Sequence, residues 1–350
     1  MSYRSMELSM LKWAPIFALS AIGATWATQT AVAAEKGDIV VKVVMVEDED
    51  EDPAAAGKAA AESLKKAMGR AALKAVIISE CFEDREQKEK LLKGVCSVLP
   101  DEVVMGGATY GSFTQEGCTD FDAVCLMGIG GDGIGVSARL VTDMGTAKLT
   151  FEQDQELVRK RLHKAGKDLA GKLRRTDRDR VLILIADAHA PKNQYLVEGV
   201  QLALGKQFPI VGGCVNKNAG QTFVYFGGKV YEDAAMAVML SGDFEASLTG
   251  RQANENEKVI ATANQAAREA LEAVKGKPVA ALAFNCAGRR SKLKDYGEEL
   301  AAIQKALGEE VPLFGCYCAG EIGPVDNPEQ PSDALSGGSG WHVMFTVIAQ

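Results

Sequence analysis

The amino-acid sequence predicts an α/β fold, in which pseudo-repeated strand–helix–strand units form mixed sheets flanked by helices. Two observations lead to this prediction. Continuous apolar runs of strand length recur along the chain, and each is followed by a polar loop, a helical pattern and a second apolar run that ends in glycine. Such runs are typical of strands buried on both faces, and strand–helix–strand connections call for parallel pairing with right-handed crossovers.

The repeat occurs three times. Its first strands are predicted at Lys74–Ser79, Arg180–Ile185 and Pro278–Phe284. Helices follow at 87–99, 193–205 and 297–307, and the second strands end at Gly106, Gly212 and Gly315. Third apolar strands close the units at Asp122–Met127, Ala234–Leu240 and His342–Ile348. Self-similarity of this kind indicates that one supersecondary unit is used repeatedly.

Further helices are predicted between the repeats. Residues 151–173 and 255–275 carry apolar side chains at helical spacing, and an Ala/Lys-rich stretch covers 57–71. The predicted organisation is a leader over 1–33, an acidic N-terminal segment and linker over 34–57, and two α/β regions over 58–247 and 253–350.

The N-terminal residues have the pattern of a secretory signal peptide. Lys12 precedes an apolar run from Trp13 to Trp26, and Ala31-Val32-Ala33 fits an A-x-A cleavage site. The apolar run is shorter than the roughly 20 residues that a spanning helix needs. We therefore expect export to the periplasm or the exterior, with no stable membrane span after processing.

The charge balance narrows the range of partners. The chain of 350 residues has a formal net charge of −8, and its lysines and arginines form no dense cluster. An acidic protein without a basic patch is poorly suited to bind nucleic acid or anionic membranes. The expected partner is a small polar ligand.

Polar residues follow the predicted strands where loops gather at the carboxyl end of the sheet. Open α/β sheets bind ligands at this edge. The candidate ligand-binding residues are Thr109, Cys214, Asn216, Asn285, Cys286, Arg289, Cys316, Cys318, Gly320 and Glu321. Glu80, Cys81, Asp187 and His189 follow other strands and are expected nearby.

One pair of these candidates suggests a ligand class. Arg289 can bind a carboxylate or phosphate through its planar guanidinium, and Glu321 can take a ligand ammonium. Together they would suit an amino acid or a related small zwitterion. The alternative is that Arg289 and Glu321 pair with each other or cap local backbone.

The cysteines leave several alternatives open. Cys286, Cys316 and Cys318 could bind a metal as thiolates together with His189, although Cys-x-Cys is not the usual zinc spacing. Cys286 could instead be a catalytic nucleophile, with His189 as base and Asp187 as its orienting group. A disulfide between strand-end loops is compatible with export. The remaining alternative is a set of small buried thiols, and no metal or cofactor is predicted.

A nucleotide site is not supported. Gly128–Gly135 contains a G-x-G pattern after a strand, but β-rich sequence follows it where a dinucleotide-binding motif needs a helix. A hairpin or bulge is the better interpretation of this segment.

Several motifs, in order, resemble one known family. Phe284–Arg289, Pro312 and Gly320–Pro324 are similar to the C-terminal region of the FIST domain. Val104–Thr109 and Gln207–Gly213 resemble the family's N-terminal region. The resemblance implies a sensory module for small ligands. The alternative is a thiol-dependent enzyme, redox or hydrolytic, acting through Cys286 or the Cys316/Cys318 loop.

Overall fold

Three six-stranded mixed sheets, each covered by helices, make up the structure, and they confirm the predicted α/β class with pseudo-repeated units. The computed structural model describes residues 37–119, 122–218, 221–327 and 332–350. The predicted leader over 1–33 lies outside these residues. Within the described chain, no helix has the length and apolarity needed to cross a membrane.

The three repeats share one series of elements, to which the second adds the short strands β10 and β11 and the third adds the short helix α6. The first consists of β1 (Val40–Glu47), α1 (Pro53–Met68), β2 (Leu73–Glu80), α2 (Arg85–Cys96), β3 (Val104–Ala108), β4 (Ser112–Thr114), β5 (Gly117–Cys118) and β6 (Ala123–Gly130). The second consists of β7 (Ile134–Val141), α3 (Phe151–Gly171), β8 (Asp179–Ala186), α4 (Asn193–Leu204), β9 (Ile210–Cys214), β10 (Lys217–Asn218), β11 (Gln221–Thr222), β12 (Val224–Phe226), β13 (Lys229–Tyr231) and β14 (Ala235–Gly242). The third consists of β15 (Glu245–Gln252), α5 (Asn256–Glu272), β16 (Pro278–Cys286), α6 (Ala287–Arg290), α7 (Gly297–Leu307), β17 (Leu313–Cys318), β18 (Glu321–Gly323), β19 (Gly337–Ser339) and β20 (His342–Ala349).

The three repeats exchange strands in a cycle. The sheet orders are β1-β6-β2-β3-β12-β13, β7-β14-β8-β9-β18-β19 and β15-β20-β16-β17-β4-β5. Four strands of each sheet come from one repeat, and the last two are an antiparallel pair donated by another repeat. Each repeat therefore donates one strand pair and receives one. The predicted division at 58–247 and 253–350 stays a prediction.

Backbone hydrogen bonds close this cycle at the strand crossings. Tyr110 N donates to Tyr317 O over 2.8 Å, Asn216 N to Ala108 O over 2.9 Å and Ala319 N to Cys214 O over 3.0 Å. Three bonds run the opposite way, from Tyr317 N to Gly111 O, from Ala108 N to Phe223 O and from Cys214 N to Gly320 O. Three predicted site residues, Cys214, Asn216 and Gly320, thus contribute backbone groups to this ring.

Glycine is required where the strands cross. A Cβ at Gly212 would overlap the carbonyl oxygen of Leu184 on the paired strand, and the backbone there has φ +157°. A Cβ at Gly315 would overlap the Phe113 ring of the donated strand β4. The predicted glycine corners Gly106, Gly212 and Gly315 pair with the donated strands β12, β18 and β4.

The inner faces of the three sheets share one apolar core, which includes Ile77, Ile183 and Phe284. The helices cover the outer faces. In β16, successive side chains point to opposite faces of the sheet. Leu282 and Phe284 therefore face the central core, while Ala281 and Ala283 face α5 and α7.

Two local predictions need correction. Pro53 does not lie in a linker but begins α1, because its missing N–H is harmless at the first helical position and the Asp52 carboxylate caps the helix. Residues 128–135 do not form a hairpin, since β6 and β7 belong to different sheets and this turn joins them.

Candidate functional site

A small cavity lies at the centre of the molecule between the three repeats. Its volume is about 10 Å³, room for about one water molecule. Four of the predicted site residues line it: Thr109, Cys214, Cys316 and Cys318. Its polar side chains include the hydroxyl of Ser79, which lies 2.9 Å from Thr109 Oγ1 and 2.6 Å from Ser112 Oγ. No sequence signal marked Ser79 or Ser112 as a site residue.

A second polar group adjoins this cavity at the end of β16. Glu321, on the donated strand β18, is fully buried and accepts a hydrogen bond from His342 N over 3.1 Å. Its Oε1 atom has no hydrogen-bond partner among the described residues. Burial raises the pKa of Glu321 to about 8, although the His342 N–H, the Cys286 thiol and the charge of Arg289 lower it. The carboxyl is therefore largely protonated at neutral pH.

Cys286 lies beside Glu321 on the central face of β16 and is half-buried. Burial and the neighbouring Glu321 raise the pKa of the Cys286 thiol to about 11, against backbone hydrogen bonds from Trp341 and Gly288 that lower it. At neutral pH this thiol is protonated. Without a ligand, the Cys286–Glu321 pair is thus a neutral thiol beside a neutral acid.

Asn285 and Arg289 belong to the opposite face of the sheet. Because Asn285 and Cys286 are consecutive strand residues, their side chains point to opposite sides. Asn285 is fully buried, and neither polar atom of its side chain has a partner within the described chain. The structure therefore divides the candidate residues of β16 between two faces.

Arg289 does not pair with Glu321. It is fully buried, and its Nε and Nη2 atoms lie 3.0 Å and 2.6 Å from Glu299 Oε1. Nη2 also donates to Val259 O over 2.8 Å, and Tyr317 donates its hydroxyl to Glu299 Oε2 over 3.0 Å. Arg289 thus joins α5, α6 and α7, and of its nitrogens Nη1 has no partner among the described residues.

The alternative catalytic grouping is not assembled. His189 Nε2 lies 2.8 Å from Val215 O, and Asp187 accepts hydrogen bonds from Thr222 Oγ1 and Asp233 N. His189 and Asp187 line a separate cavity of about 320 Å³ in the second repeat. Cys286 makes no hydrogen bond with either residue in the described structure, because its neighbours are Glu321, Gly288 and Trp341.

No disulfide joins any of the eight cysteines, all of which lie among the described residues. The sulfurs of Cys316 and Cys318 are 3.6 Å apart without a covalent bond. The described residues contain no group of three or more histidine, cysteine or acidic side chains that could hold a metal ion. The thiolate–His189 metal site considered above is therefore not formed.

Trp341 is a site residue that the sequence analysis missed. Its backbone has φ +62°, its side chain is 37% exposed, and its ring packs over Gly288. Lys292 Nζ lies 5.6 Å from the ring centroid. Trp341 therefore covers the backbone next to Cys286. The glycine-rich run that precedes it was the available signal.

This geometry defines the class of the protein as an α/β protein of three strand-exchanged repeats with buried polar groups where the strands cross. The FIST N domain family matches residues 72–263, and the FIST C domain family matches residues 210–324. The first match alone covers more than half of the chain, which therefore belongs to the FIST family, and the predicted resemblance is confirmed. FIST domains are generally sensory domains that bind small ligands.

Among solved structures, cyanuric acid hydrolase from A. caulinodans is similar at 10% identity and a TM-score of 0.43, over 89% of this chain and 100% of that one. A second cyanuric acid hydrolase is 12% identical with a TM-score of 0.43, over 89% and 99% of the two chains. These values are too low to carry an argument about activity. No curated protein matches the sequence.

The protonated state of Glu321 predicts a pH dependence of stability. Its pKa rises from an ordinary value near 4.5 to about 8 on folding, so the unfolded chain binds fewer protons than the folded chain in this window. Stability should therefore fall as pH rises from about 4.5 to 8, by at most about 1.4 kcal/mol per pH unit. In Glu321→Gln this contribution should disappear.

Urea unfolding of wild type and Glu321→Gln between pH 5 and 9 measures the effect. Glu62→Gln, on an exposed face of α1, is the matched control and should keep the wild-type slope. Parallel pH profiles for wild type and Glu321→Gln would contradict the assignment.

Proposed function

We propose that this chain is an exported, sensory-type FIST protein that binds a small polar ligand beside Glu321 and Cys286. One observation carries the proposal: a fully buried carboxyl with an unpartnered oxygen stands beside a half-buried thiol. A buried polar atom without a partner costs about 1–3 kcal/mol, so a ligand that supplies the partner recovers that free energy. Membership of a family of small-ligand sensors supports the same conclusion.

The chemistry of this group favours a ligand that carries a cation. A ligand ammonium near Glu321 would lower the pKa of the carboxyl from about 8 and drive out its proton, giving a buried ion pair. The charge of Arg289 also acts on Glu321, but its guanidinium lies on the opposite face of the sheet and is bound to Glu299. An amino acid or a related zwitterion supplies the ammonium that Glu321 would take.

A thermal-shift screen of the purified protein against amino acids, other amines and small carboxylates tests this proposal. A ligand at about 100 times its Kd adds roughly 2.7 kcal/mol of stability, which gives a measurable rise in Tm. We expect a zwitterion to raise the Tm of wild type and of Glu62→Gln, and to lose its effect in Glu321→Gln. An unchanged ligand effect in Glu321→Gln would overturn the proposed site.

A thiol-dependent enzyme is the second candidate, favoured by the half-exposed Cys286 with two backbone N–H groups at its sulfur. Thiolates are the reactive form, so a thiol with a pKa of about 11 should alkylate slowly at pH 7. Mass spectrometry of iodoacetamide-treated protein should show a Cys286 rate that rises about tenfold per pH unit from pH 7 to 10. A fast rate that levels off near neutral pH would favour the enzyme over the sensor.

Export rests on residues 1–33, and a fusion of these residues to a reporter enzyme tests it directly. We expect the reporter to leave the cytoplasm and to be cleaved after Ala33. Replacing the apolar residues 16–22 with polar ones should abolish export, because recognition depends on the apolar region. Retention of the wild-type fusion in the cytoplasm would contradict this part of the proposal.

A further inference from the structure

The central face of the third sheet carries three thiols in a row. Cys286 and Cys318 are directly paired on the parallel strands β16 and β17. Cys316 lies two residues before Cys318 on the same strand face, and their sulfurs are 3.6 Å apart. The row begins at half-buried Cys286 and ends at Cys316, which is buried. Thiols therefore extend continuously from the edge of the sheet to the centre of the molecule.

The structure leaves room at the inner end of this row. Cys316 and Cys318 line the central cavity of about 10 Å³, and Cys214 lines it from β9. A Cβ at Gly213 would overlap the Cys318 sulfur, so glycine at this position gives the thiol its space. Cys214 is turned away, because its sulfur donates to Ala188 O over 3.0 Å. Cys316 and Cys318, whose sulfurs are 3.6 Å apart, can therefore share one partner.

We propose that Cys316 and Cys318 bind one soft monovalent cation of the Cu(I) type as a two-coordinate thiolate site, which is loaded through Cys286. Thiolates select such ions, whereas zinc in structural sites takes four ligands in a tetrahedron. The described residues provide no group of three or more metal donors, which fits two-coordination and disfavours zinc. This site holds its cation on Cys316 and Cys318 and shares only the loading residue Cys286 with the ligand site proposed above.

The binding step needs no oxidant or reductant. Two S–H bonds break, two S–Cu bonds form, and two protons leave for solvent, so that a neutral dithiol and Cu⁺ give a complex of charge −1. The cation enters by exchanging thiolate ligands from Cys286 to Cys318 to Cys316. Because two protons are released, affinity should rise with pH.

The titratable groups around this dithiol also affect that dependence. Cys125, Cys214 and Glu321 lie near these two thiols, and burial raises the pKa of the Cys125 and Cys214 thiols. The hydrogen bond to Cys316, followed by burial, raises the pKa of Cys318 well above its ordinary value. Cys318 therefore keeps its proton when no cation is bound, and the cation must displace it.

Competition between the reduced protein and a chromophoric Cu(I) chelator, under anaerobic conditions, tests the proposal with Cu(I) itself as the probe. We expect one high-affinity Cu(I) per chain. Cys316→Ser and Cys318→Ser should each lose more than about 100-fold in affinity, because even outer-shell changes cost 10–100-fold. Cys96→Ser, in α2 far along the chain from this row, is the matched control and should bind like wild type. Cys286→Ser should slow loading.

Circular dichroism and thermal melts establish that each variant is folded. If a variant does not fold, X-ray absorption of Cu(I)-loaded wild type decides, with two sulfur scatterers expected in the first shell. A shell containing nitrogen or oxygen would overturn the proposal. So would wild-type Cu(I) affinity in Cys316→Ser, a loss of affinity in Cys96→Ser equal to that in Cys318→Ser, or Zn²⁺ binding as tight as Cu(I) binding.

Discussion

The cyclic exchange of strand pairs is the constraint on which the rest of the structure depends. Without the donated pairs, β3, β9 and β17 would each present an open edge of unpaired N–H and C=O groups. The donated strands β12, β18 and β4 satisfy these edges. Since each repeat completes another, no repeat has a finished sheet alone. Cooperativity between the repeats follows from backbone hydrogen bonding before any side chain is considered.

Side chains at equivalent positions show how the repeats have diverged within this frame. In each repeat, the residue two positions after the glycine corner pairs with a residue on the neighbouring strand. That partner is Glu80 in the first repeat, Ala186 in the second and Asn285 in the third. Glu80 is fully satisfied, because Lys88 Nζ lies 3.1 Å away and Tyr225 of the donated strand β12 donates its hydroxyl. Asn285 has no partner among the described residues. The first repeat uses this position to fix a donated strand, and the third leaves a polar group unsatisfied.

Much of this arrangement was predictable from the sequence. The apolar strands, the helices that follow them and the glycine corners were predicted because burial on both faces and close backbone approach leave strong local signals. The strand exchange was not, since pairing between Tyr317 and Tyr110 joins residues over 200 positions apart and leaves no periodic trace. The first strands of the first and third repeats, β1 and β15, were also missed. In β15 most side chains are half-buried or exposed, so its apolar pattern is weak.

The site residues were predicted by type more successfully than by partner. The sequence analysis grouped Arg289 with Glu321 because both follow strands. In the structure, the alternation of side chains along the strands and the positions of the helices determine which side chains are in contact. Glu299 is the partner of Arg289, and it lies on the buried face of α7 with Ile303 four residues on. A carboxylate on an apolar helical face was a readable sign of a buried ion pair. That Arg289 is the partner of this carboxylate could be known only from the positions of α6 and α7.

The electrostatics of the central face link the two proposed sites. Glu321 lies among Cys214, Cys286 and Cys318. Burial chiefly raises the pKa of Cys214 and Cys286, the hydrogen bond to Cys316 chiefly raises that of Cys318, and the ionised form of Glu321 would add to all three. Burial disfavours the ionised form of every acid in this group, so these side chains hold their protons at neutral pH. Any other cation must compete with these protons, whether an ammonium at Glu321 or a soft metal ion at the thiols. An apolar face lined with weak acids therefore stays neutral when empty and develops charge only as a cation arrives. Binding of a cationic ligand to such a face releases protons. The ligand affinity of a sensor built on it would therefore depend on pH.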